Sequence, residues 1–574
     1  MVLNPTARRI IMEKKRMHGT WTVKRVCFGS LAVICLWVLV MGCAASATRP
    51  ATDSATHQGS YTLVGIGPGD ADLLTARALE AIRRADLVFC KSDIKEKLAD
   101  YVTFQGKQVL DGYGVLFRYY GTDCAQLPEK QRTWHNRSCE QFHQQQDEFV
   151  AIVRQAVQAG KHVVLLSSGD PTIYGPDMWS IKALGDLDPA VVPGLSALNA
   201  ANAALQAGLG EVIITAPFQR AGRMDTIAQL AVHERATMVI FMPRDMPELI
   251  ARLGRAYPPD THVAIVIQAG QFGRQQVVMG TVGDIGSRLG DKDITLSLVY
   301  VGKALANAQA PPARAASPSG RGRFYLVGMG PGDADLATLR ATEVIKKADL
   351  IFASGKLQHR YAALLAGKKV LDGYGRLFPF YGKACAQVTP AERANERMSC
   401  EAYHQKQAEF EFLVRQAVAE GQTVAMLDSG DPLIYGPCAW SLTALRDLAI
   451  EVVPGLSCFN AANAALRAGV TEGRNSHSVL LASGWSVEEM AVHQSTMVIF
   501  TMRKEFKHFI DQLSKHYPAD TPVAIVSSAG YAAKEKVLQG TLGGILHQLG
   551  PEKQPFEYLL YVGDFLADGG KVAH

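Results

Sequence analysis

The chain contains the same ordered set of segments twice, and this duplication constrains its fold more than any other feature. The segment YTLVGIGPGDADLL, which begins at Tyr61, returns as FYLVGMGPGDADLA from Phe324. SGDPTIYG and VVPGLSALNAANAAL likewise return about 260 residues later as SGDPLIYG and VVPGLSCFNAANAAL. A period this long indicates a duplicated domain and not a solenoid of short repeats. We therefore expect two modules, residues 61–303 and 324–566, joined by an Ala- and Pro-rich linker at residues 304–323.

Within each module, short apolar runs alternate with segments of helical periodicity. In module 1, residues 73–84 have the apolar spacing of an amphipathic helix. Apolar runs that predict strands are residues 61–66, 87–90, 163–167, 191–192, 212–215, 238–241 and 263–267. Near-continuous apolar strands separated by helices favour an α/β fold with buried, mostly parallel sheets. The module length of about 240 residues indicates two α/β subdomains, which we expect to meet near residues 187–190 and 447–450.

Composition excludes several classes of protein. Of the 574 residues, 48% are hydrophobic, which is enough for packed cores and excludes disorder for most of the chain. The net charge of +5 is weak for this length, so we expect no nucleic-acid partner, which would need a concentrated basic face. Ten cysteines are too few for a disulfide scaffold, although several of them repeat between the modules.

The first 43 residues resemble an export signal. Residues 26–42 form an uncharged apolar run that follows Lys24 and Arg25 and ends at Cys43. A basic, an apolar and a small-residue segment in this order are typical of a secretory signal, and Cys43 resembles the lipidated cysteine of a bacterial lipoprotein. The alternative is an uncleaved membrane anchor, because the apolar run is just long enough to cross a bilayer. Both predict that the modules, after a linker at residues 44–60, lie on the periplasmic or other extracytoplasmic side of the membrane.

A glycine-rich loop follows the first predicted strand of each module. This GPGD loop, at residues 67–70 and 330–333, precedes a helix. Its glycines allow a ligand close to the backbone, and a helix start offers free N–H groups. The alternative is a tight turn in which Asp70 or Asp333 caps the helix. The spacing differs from the dinucleotide motif GxGxxG, which disfavours an NAD-dependent enzyme.

The order GxGPGD, SGDPxIYG, VPGLS, TMVIF and YVG resembles the tetrapyrrole methylase family, the S-adenosyl-L-methionine (SAM)-dependent C-methyltransferases of sirohaem and cobalamin synthesis. NAANAAL and the segments LAVHERATMVIF and EMAVHQSTMVIF are similar to the precorrin-4 or cobalt-precorrin-4 members, which methylate ring position 11. The resemblance implies a tetrapyrrole substrate and SAM as cofactor. The SAM-pocket positions that it implies in module 1 are Pro68, Ser168, Gly169, Asp170, Ile173, Ser196, Ala197, Met242 and Gly270. Those in module 2 are Pro331, Ser429, Gly430, Asp431, Ile434, Ser457, Cys458, Thr501 and Gly530.

Methyl transfer to a ring carbon is a displacement, so catalysis depends mainly on alignment and on the exclusion of water. A nearby group then removes a proton from the alkylated carbon, and Asp70 and Asp333 are the candidate carboxylates. Sirohaem-type members have an Asp acid/base shortly after the second strand, but this sequence has Lys91 and Ser354 there. The tetrapyrrole and the proton-transfer step therefore stay open at this point.

Two cysteines and one histidine recur in a segment that the family resemblance does not explain. Cys124, Cys139 and His143 return as Cys385, Cys400 and His404. A disulfide in each module fits an exported protein, and closing a loop of about 15 residues stabilises by roughly 3 kcal/mol. A Cys/Cys/His metal site, or the histidines as axial ligands of a bound metallotetrapyrrole, is the second interpretation. Buried thiols with no such role are the third.

Two functions of different classes follow from these features. The motifs favour a SAM-dependent C-methyltransferase that acts on a precorrin- or corrinoid-type tetrapyrrole. The export signal favours a membrane-anchored protein that binds a corrinoid or haem and has lost the reaction, because SAM is made in the cytoplasm. Since the resemblance implies proteins that work as homodimers, we also expect the two modules to form an internal pseudo-dimer.

Overall fold

The computed structural model describes residues 58–218, 223–309, 322–394, 396–484, 486–500, 506–550 and 557–567. The predicted leader with Cys43, and the predicted SAM-pocket residue Thr501, lie outside the described residues. Within the described segments, no helix has the length and apolar character that crossing a membrane requires.

Both modules consist of short strands separated by helices, as expected for an α/β fold. The strands of module 1 are β1 (Ser60–Gly65), β2 (Leu87–Phe89), β3 (Gln108–Leu110), β4 (Thr133–Trp134), β5 (Arg137–Ser138), β6 (His162–Ser167), β7 (Ala190–Val192), β8 (Glu211–Thr215), β9 (Ala236–Phe241), β10 (His262–Ile267), β11 (Gln276–Thr281) and β12 (Ser297–Val301). Those of module 2 are β13 (Arg323–Gly328), β14 (Leu350–Phe352), β15 (Lys369–Leu371), β16 (Thr423–Asp428), β17 (Ile450–Val453), β18 (Val479–Ser483), β19 (Thr496–Phe500), β20 (Pro522–Ser527), β21 (Lys536–Thr541) and β22 (Tyr558–Val562).

The helices also recur between the modules. Those of module 1 are α1 (Ala76–Arg84), α2 (Ser92–Lys97), α3 (Cys139–Gln158), α4 (Trp179–Ala183), α5 (Ala197–Leu205), α6 (Ile227–Leu230), α7 (Met246–Ala256) and α8 (Ile285–Leu289). Those of module 2 are α9 (Leu339–Lys347), α10 (Gly355–Arg360), α11 (Ala362–Leu365), α12 (Pro390–Ala394), α13 (Cys400–Ala419), α14 (Trp440–Ala444), α15 (Cys458–Leu466), α16 (Val487–Ala491), α17 (Phe506–Leu513) and α18 (Ile545–Leu549).

The first subdomain of each module is built on a five-stranded parallel sheet. The strand order is β3-β2-β6-β1-β7 in module 1 and β15-β14-β16-β13-β17 in module 2. All pairings in both sheets are parallel. Because β7 and β17 belong to these sheets, the first subdomains extend past the expected boundaries near residues 187–190 and 447–450. A strand of three or four residues has too little periodicity to be placed in a sheet from sequence alone.

The second subdomains of the two modules share one ten-stranded sheet. Its order is β11-β10-β12-β9-β8-β18-β19-β22-β20-β21. Of its pairings, β8–β9 and β18–β19 are parallel and the others antiparallel. The expectation of mostly parallel sheets therefore holds for the five-stranded sheets, whereas this sheet is mixed. The antiparallel pairing of β10 with β11 follows from the short connection between them, because parallel neighbours need a longer crossover.

The ten-stranded sheet has an apolar cluster on each face, and both clusters contain residues of both modules. Met238, Ile240 and Met497 lie in one cluster, whereas Val239 and Val498 lie in the other. Alternate residues of a strand point to opposite faces, so β9 and β19 are buried on both sides. The two modules therefore share a continuous hydrophobic core.

The modules also contact each other where α1 and α9 begin. The Ala76 amide donates to the Ala337 carbonyl at 3.1 Å, and the Leu339 amide donates to the Leu74 carbonyl at 2.9 Å. Arg77 of α1 pairs with Asp335, and in the same way Arg340 of α9 pairs with Asp72. Each contact has its counterpart with the modules exchanged, so the two copies meet in a nearly two-fold symmetric way.

Candidate functional site

Four loops meet at the carboxyl ends of the parallel strands in each module. In module 1 they follow β1, β6, β7 and β10. Gly67 and Gly169 exchange two backbone hydrogen bonds, of 3.3 and 3.1 Å, which join the GPGD and SGD loops. A Cβ at Gly194 of the VPGLS loop would lie 2.3 Å from the Gly169 carbonyl oxygen, so only glycine allows this approach. Open parallel sheets bind ligands at this edge.

The loop after β10 brings the second subdomain to the same place. Gly69 has φ +70°, and a Cβ there would lie 2.2 Å from the Gly270 carbonyl carbon. The Asp70 amide donates to the Gly270 carbonyl at 2.9 Å. In module 2, Gly332 approaches Gly530 equally closely. The structure thus brings the predicted positions Pro68, Gly169 and Gly270 into one loop cluster, and Pro331, Gly430 and Gly530 into its counterpart.

The remaining predicted positions differ in exposure. Ile173 and Ile434 are buried, with Met242 packed against the same apolar cluster, whereas Ser168 and Ser429 are exposed. Ala197 and Cys458 are the half-buried first residues of α5 and α15. Met242 has φ +52°, an uncommon conformation for a residue with a side chain. The loop cluster therefore presents exposed serines and backbone polar groups beside an apolar wall.

The carboxylates of Asp170 and Asp431 are bound within the protein. Asp170 Oδ1 accepts from the Thr172 amide and hydroxyl at 2.9 and 2.6 Å, and its Oδ2 accepts from the Asn460 amide group of module 2 at 2.7 Å. Asp431 Oδ2 accepts from Asn199 of module 1 at 2.7 Å. Burial raises the pKa of Asp170 to about 6 and that of Asp431 to about 7, against these hydrogen bonds. Both side chains join the modules, and contact with SAM stays a prediction.

The hydroxyls of Ser196 and Ser457 cap helices. Ser196 Oγ and its amide both donate to Asn199 Oδ1, at 2.9 and 2.8 Å, in the capping box of α5. Ser457 makes the same contacts with Asn460 at the start of α15. The asparagines of the NAANAAL segment thus link each helix start to the SGD loop of the other module. Asn199 and Asn460 are not among the predicted site residues, although their repetition in both copies was a visible signal.

The carboxylates of Asp70 and Asp333 hold the glycine loops in place. Asp70 Oδ2 accepts from the Phe272 amide at 2.9 Å and from Arg340 of module 2 at 3.3 Å. The matching contacts in module 2 join Asp333 to the Ala532 amide and to Arg77. Each carboxylate is thus bound both by its own module and by an arginine of the other module. Their role in proton removal stays a prediction.

Comparison with known proteins identifies this arrangement. The family described as tetrapyrrole (corrin/porphyrin) methylases matches residues 61–286 and, a second time, residues 323–546. The chain belongs to this family. A precorrin-4 C(11)-methyltransferase of Pseudomonas aeruginosa is 30% identical over 257 residues, which are 43% of this chain and 91% of that protein. A SAM-dependent uroporphyrinogen III methyltransferase of Methanosarcina barkeri is 29% identical over 42% of this chain and 91% of that protein.

Among solved structures, the X-ray structure of a cobalt precorrin-4 methyltransferase is similar, with 23% identity and a TM-score of 0.34. The similarity covers 43% of this chain and 96% of that one. The two matched segments correspond to the two expected modules, so the recognition of tandem tetrapyrrole methylase modules is confirmed. Membership of this family of methylases also supports the expected enzyme class, a methyltransferase, and the expected cofactor, SAM.

The segment that the tetrapyrrole methylase motifs do not cover contains one disulfide in each module. Cys124 is bonded to Cys139, and Cys385 to Cys400, with Cα–Cα distances of 5.8 and 5.7 Å. His143 Nδ1 lies 3.6 Å from Cys124 Sγ, and its Nε2 lies 2.9 Å from the Tyr119 carbonyl oxygen. Since the thiolate and not the disulfide is the metal ligand, a Cys/Cys/His site at this place would first require reduction. The structure thus has the first of the three arrangements considered above.

Proposed function

We propose that the chain is a SAM-dependent C-methyltransferase that acts on a precorrin- or corrinoid-type tetrapyrrole. The observation that supports this most is that both modules keep the complete loop cluster, including the close approaches of Gly69 to Gly270 and of Gly332 to Gly530. The names of the relatives, a precorrin-4 and a uroporphyrinogen III methyltransferase, support a tetrapyrrole substrate.

The residues of the loop cluster suit SAM, which has no phosphates and needs backbone polar groups, small residues and an apolar wall. When bound, SAM supplies an electrophilic methyl group. The exposed Ser168 and the backbone of the GPGD loop would hold its polar parts, and the apolar wall at Ile173 and Met242 its methionine arm. Asp70 and Arg340 hold the GPGD loop against the Gly270 loop. Their contacts would therefore align the site and limit the entry of water.

We further propose that the two modules form an internal pseudo-dimer. The shared ten-stranded sheet supports this, as do the reciprocal pairs Asn199–Asp431 and Asn460–Asp170. A single compact particle in small-angle scattering, with the mass of one chain, is expected. An envelope of two separated lobes would contradict this arrangement.

A second candidate function is an exported tetrapyrrole-binding protein that has lost the reaction. Residues 1–43, with an apolar run before Cys43, support an extracytoplasmic lipoprotein, and the two disulfides suit such a compartment. Mass spectrometry of the mature N-terminus tests the anchor: a diacylated Cys43 supports the lipoprotein, whereas intact residues 1–42 support an uncleaved membrane anchor.

One pair of titrations separates the two functions. The purified chain is titrated with SAM by calorimetry, and with a corrinoid or haem by absorbance spectroscopy. Labelled SAM and uroporphyrinogen III or precorrin-4 then test methyl transfer directly. The methyltransferase requires both SAM binding and label in the tetrapyrrole. Tetrapyrrole binding without measurable SAM affinity would refute it in favour of the exported binder.

A further inference from the structure

A small cavity lies at the carboxyl ends of β2, β3 and β6 in module 1. Its volume is about 100 Å³, and its lining includes Lys91, Tyr113, Ser168 and Asp177. Asp177 is only 5% exposed, and among the described residues its Oδ1 has no hydrogen-bond partner. Because a buried carboxyl oxygen that lacks a hydrogen-bond partner is costly, its presence in the cavity lining points to a ligand or a reaction.

Module 2 has a buried carboxyl at the same place, but a different residue provides it. The positions of Ser167 and Asp177 in module 1 correspond to Asp428 and Cys438 in module 2. Asp428 is 1% exposed; its Oδ2 accepts from the Cys438 amide at 3.0 Å, and its Oδ1 has no partner within the described part of the chain. Each module thus has one buried carboxyl here. In module 1 it lies in the loop after β6, at Asp177, whereas in module 2 it lies at the end of β16, at Asp428.

The neighbouring cation is exchanged in the same way. Lys91 lines the cavity in module 1, where the loop after β3 has Val115. In module 2 these positions are Ser354 and Arg376, so the cation now comes from the loop after β15. Each module thus keeps one buried carboxyl with one cation near it, although the two modules supply them from different positions.

The surroundings of each carboxyl set its protonation. In module 1 the titratable side chains that line the cavity are Cys90, Lys91 and Tyr113. Burial raises the pKa of Asp177 to about 6, and the Ser167 hydroxyl, the Lys91 charge and the Val115 backbone oppose this shift. In module 2, burial likewise raises the pKa of Asp428 to about 6, opposed by Cys438 and Arg376. The nearby Asp431 is a second buried acid, and burial raises its pKa, with a smaller contribution from the charge of Asp428. Because neutral pH lies above a pKa of about 6, the carboxyls of Asp177 and Asp428 are mainly ionised there and can accept a proton.

We propose that Asp177 with Lys91, and Asp428 with Arg376, are the proton-accepting sites for a tetrapyrrole bound at this edge of each five-stranded sheet. The inference rests on the proposed function, and Ser168 places the cavity next to the predicted methyl-donor loops. When a ring carbon uses its electron pair to bond the methyl group, the methyl–sulfur bond of the donor breaks, its electron pair stays on sulfur, and the macrocycle gains one positive charge. It becomes neutral again when a C–H or N–H bond breaks, its electrons stay in the ring, and the proton moves to the free carboxylate Oδ1.

The first test counts protons. Binding of uroporphyrin III is measured by calorimetry at pH 6 in two buffers of different ionisation enthalpy, for the wild-type chain and for D177N/D428N. At pH 6, close to their pKa, about half of these carboxyls carry a proton before the ligand binds. The pyrrole N–H donors of the ligand favour the ionised carboxyl, so binding should expel this proton. The wild type should therefore release up to about half a proton more per module than the variant. The difference should vanish at pH 8, where both carboxyls are already ionised.

The second test uses the exchange that the sequence itself contains. S167D/D177C/D428N gives module 1 the acid position of module 2, and it should regain the proton release that D177N/D428N lacks. D186N, which removes an exposed carboxylate paired with Arg154, is the matched control and should behave as the wild type. Unchanged SAM affinity in D177N/D428N shows that the loop cluster is intact.

Methyl transfer provides the third readout. With uroporphyrinogen III, the wild-type rate should rise with pH through about 6, and D177N/D428N should lose this step together with about 100-fold or more in rate. Equal proton release in the wild type and D177N/D428N would overturn the inference, as would absence of uroporphyrin III binding. SAM binding without any methyl transfer would instead contradict the proposed function. In that case the difference in proton release between the wild type and D177N/D428N would still decide whether Asp177 and Asp428 accept protons.

Discussion

Replacing Asn460 by alanine removes a hydrogen bond that joins the two modules at the buried Asp170. The Asn460 side-chain amide donates to Asp170 Oδ2 at 2.7 Å, and its Oδ1 accepts from Ser457 in the capping box of α15. A hydrogen bond to a charged group contributes about 1.5–3 kcal/mol, and an N-terminal cap about 1 kcal/mol. We therefore expect Asn460→Ala to lower the free energy of unfolding by about 3 kcal/mol at pH 8.

The pH dependence of this loss has a definite sign. The pKa of Asp170 is about 6 in the folded chain, above the ordinary value of 3.8, so the fold binds more protons than the unfolded chain between pH 4 and 6. Stability therefore falls as pH rises through this window. Asn460 favours the ionised carboxylate, so its removal raises the pKa further and costs most at pH 8. At pH 4.5, where the carboxyl is mainly protonated, the loss should be smaller by about 1–2 kcal/mol.

Urea unfolding, followed by tryptophan fluorescence, measures the effect in a double-mutant cycle of Asn460→Ala and Asp170→Ala. The coupling energy should be about 2 kcal/mol at pH 8 and clearly less at pH 4.5. Ser399→Ala, which removes the cap of α13 within one module, is the control and should cost about 1 kcal/mol at both pH values. A coupling energy below about 0.5 kcal/mol at pH 8, or one independent of pH, would refute the reasoning.

Three further outcomes are expected. C124S/C139S should lower the free energy of unfolding by about 3 kcal/mol in urea titrations, because the bond closes a loop with a sequence separation of 15, and prior reduction should abolish the difference. Burial lowers the pKa of His493, so this histidine by itself destabilises the fold as the pH falls below about 6.5; the melting temperature of H493Q should therefore rise relative to that of the wild type between pH 7 and 5.5. Gly69→Ala places a Cβ 2.2 Å from the neighbouring loop and should weaken SAM binding at least tenfold in calorimetry. Gly106→Ala, with a similar φ but open space around it, should leave SAM affinity unchanged.

Much of the first subdomain could be predicted because the residues within each strand are enough to identify that strand. Strands such as β1 and β6 are continuous apolar runs, and the structure places both within one residue of the expected bounds. The ten-stranded sheet could not be predicted in this way. Its central pairing sets Leu480 of β18 opposite Ile213 of β8, and no periodicity within either strand specifies a partner in another module. Strand pairing over such separations depends on shape and burial across the whole molecule.

The loop cluster was predictable because its glycines are required by backbone contacts that local motifs reveal. The partners of its polar side chains were not. Asp170 lies in the SGD motif, but its carboxylate binds Asn460 of the other module, which follows it by 290 positions. The expected pseudo-dimer implies that the two copies face each other, but it does not specify which side chains meet, so the reciprocal Asn199–Asp431 pair could not be predicted either.

Because both copies lie on one chain, equivalent positions at their contact are free to differ. His233 and His493 are equivalent, and their Nε2 atoms lie 2.7 Å apart in a buried pair. Their outer nitrogens have different partners: His233 Nδ1 lies 3.1 Å from Glu489, whereas His493 Nδ1 lies 2.8 Å from the Met224 carbonyl oxygen. In a homodimer of identical modules such an arrangement would require one subunit to break the symmetry. On a fused chain the sequence itself can assign the carboxylate to one histidine, since module 1 has Gln229 where module 2 has Glu489. The exchanged acid–cation pairs beside Ser168 and Ser429 follow from the same freedom, because each copy could change its residues without forcing that change on the other.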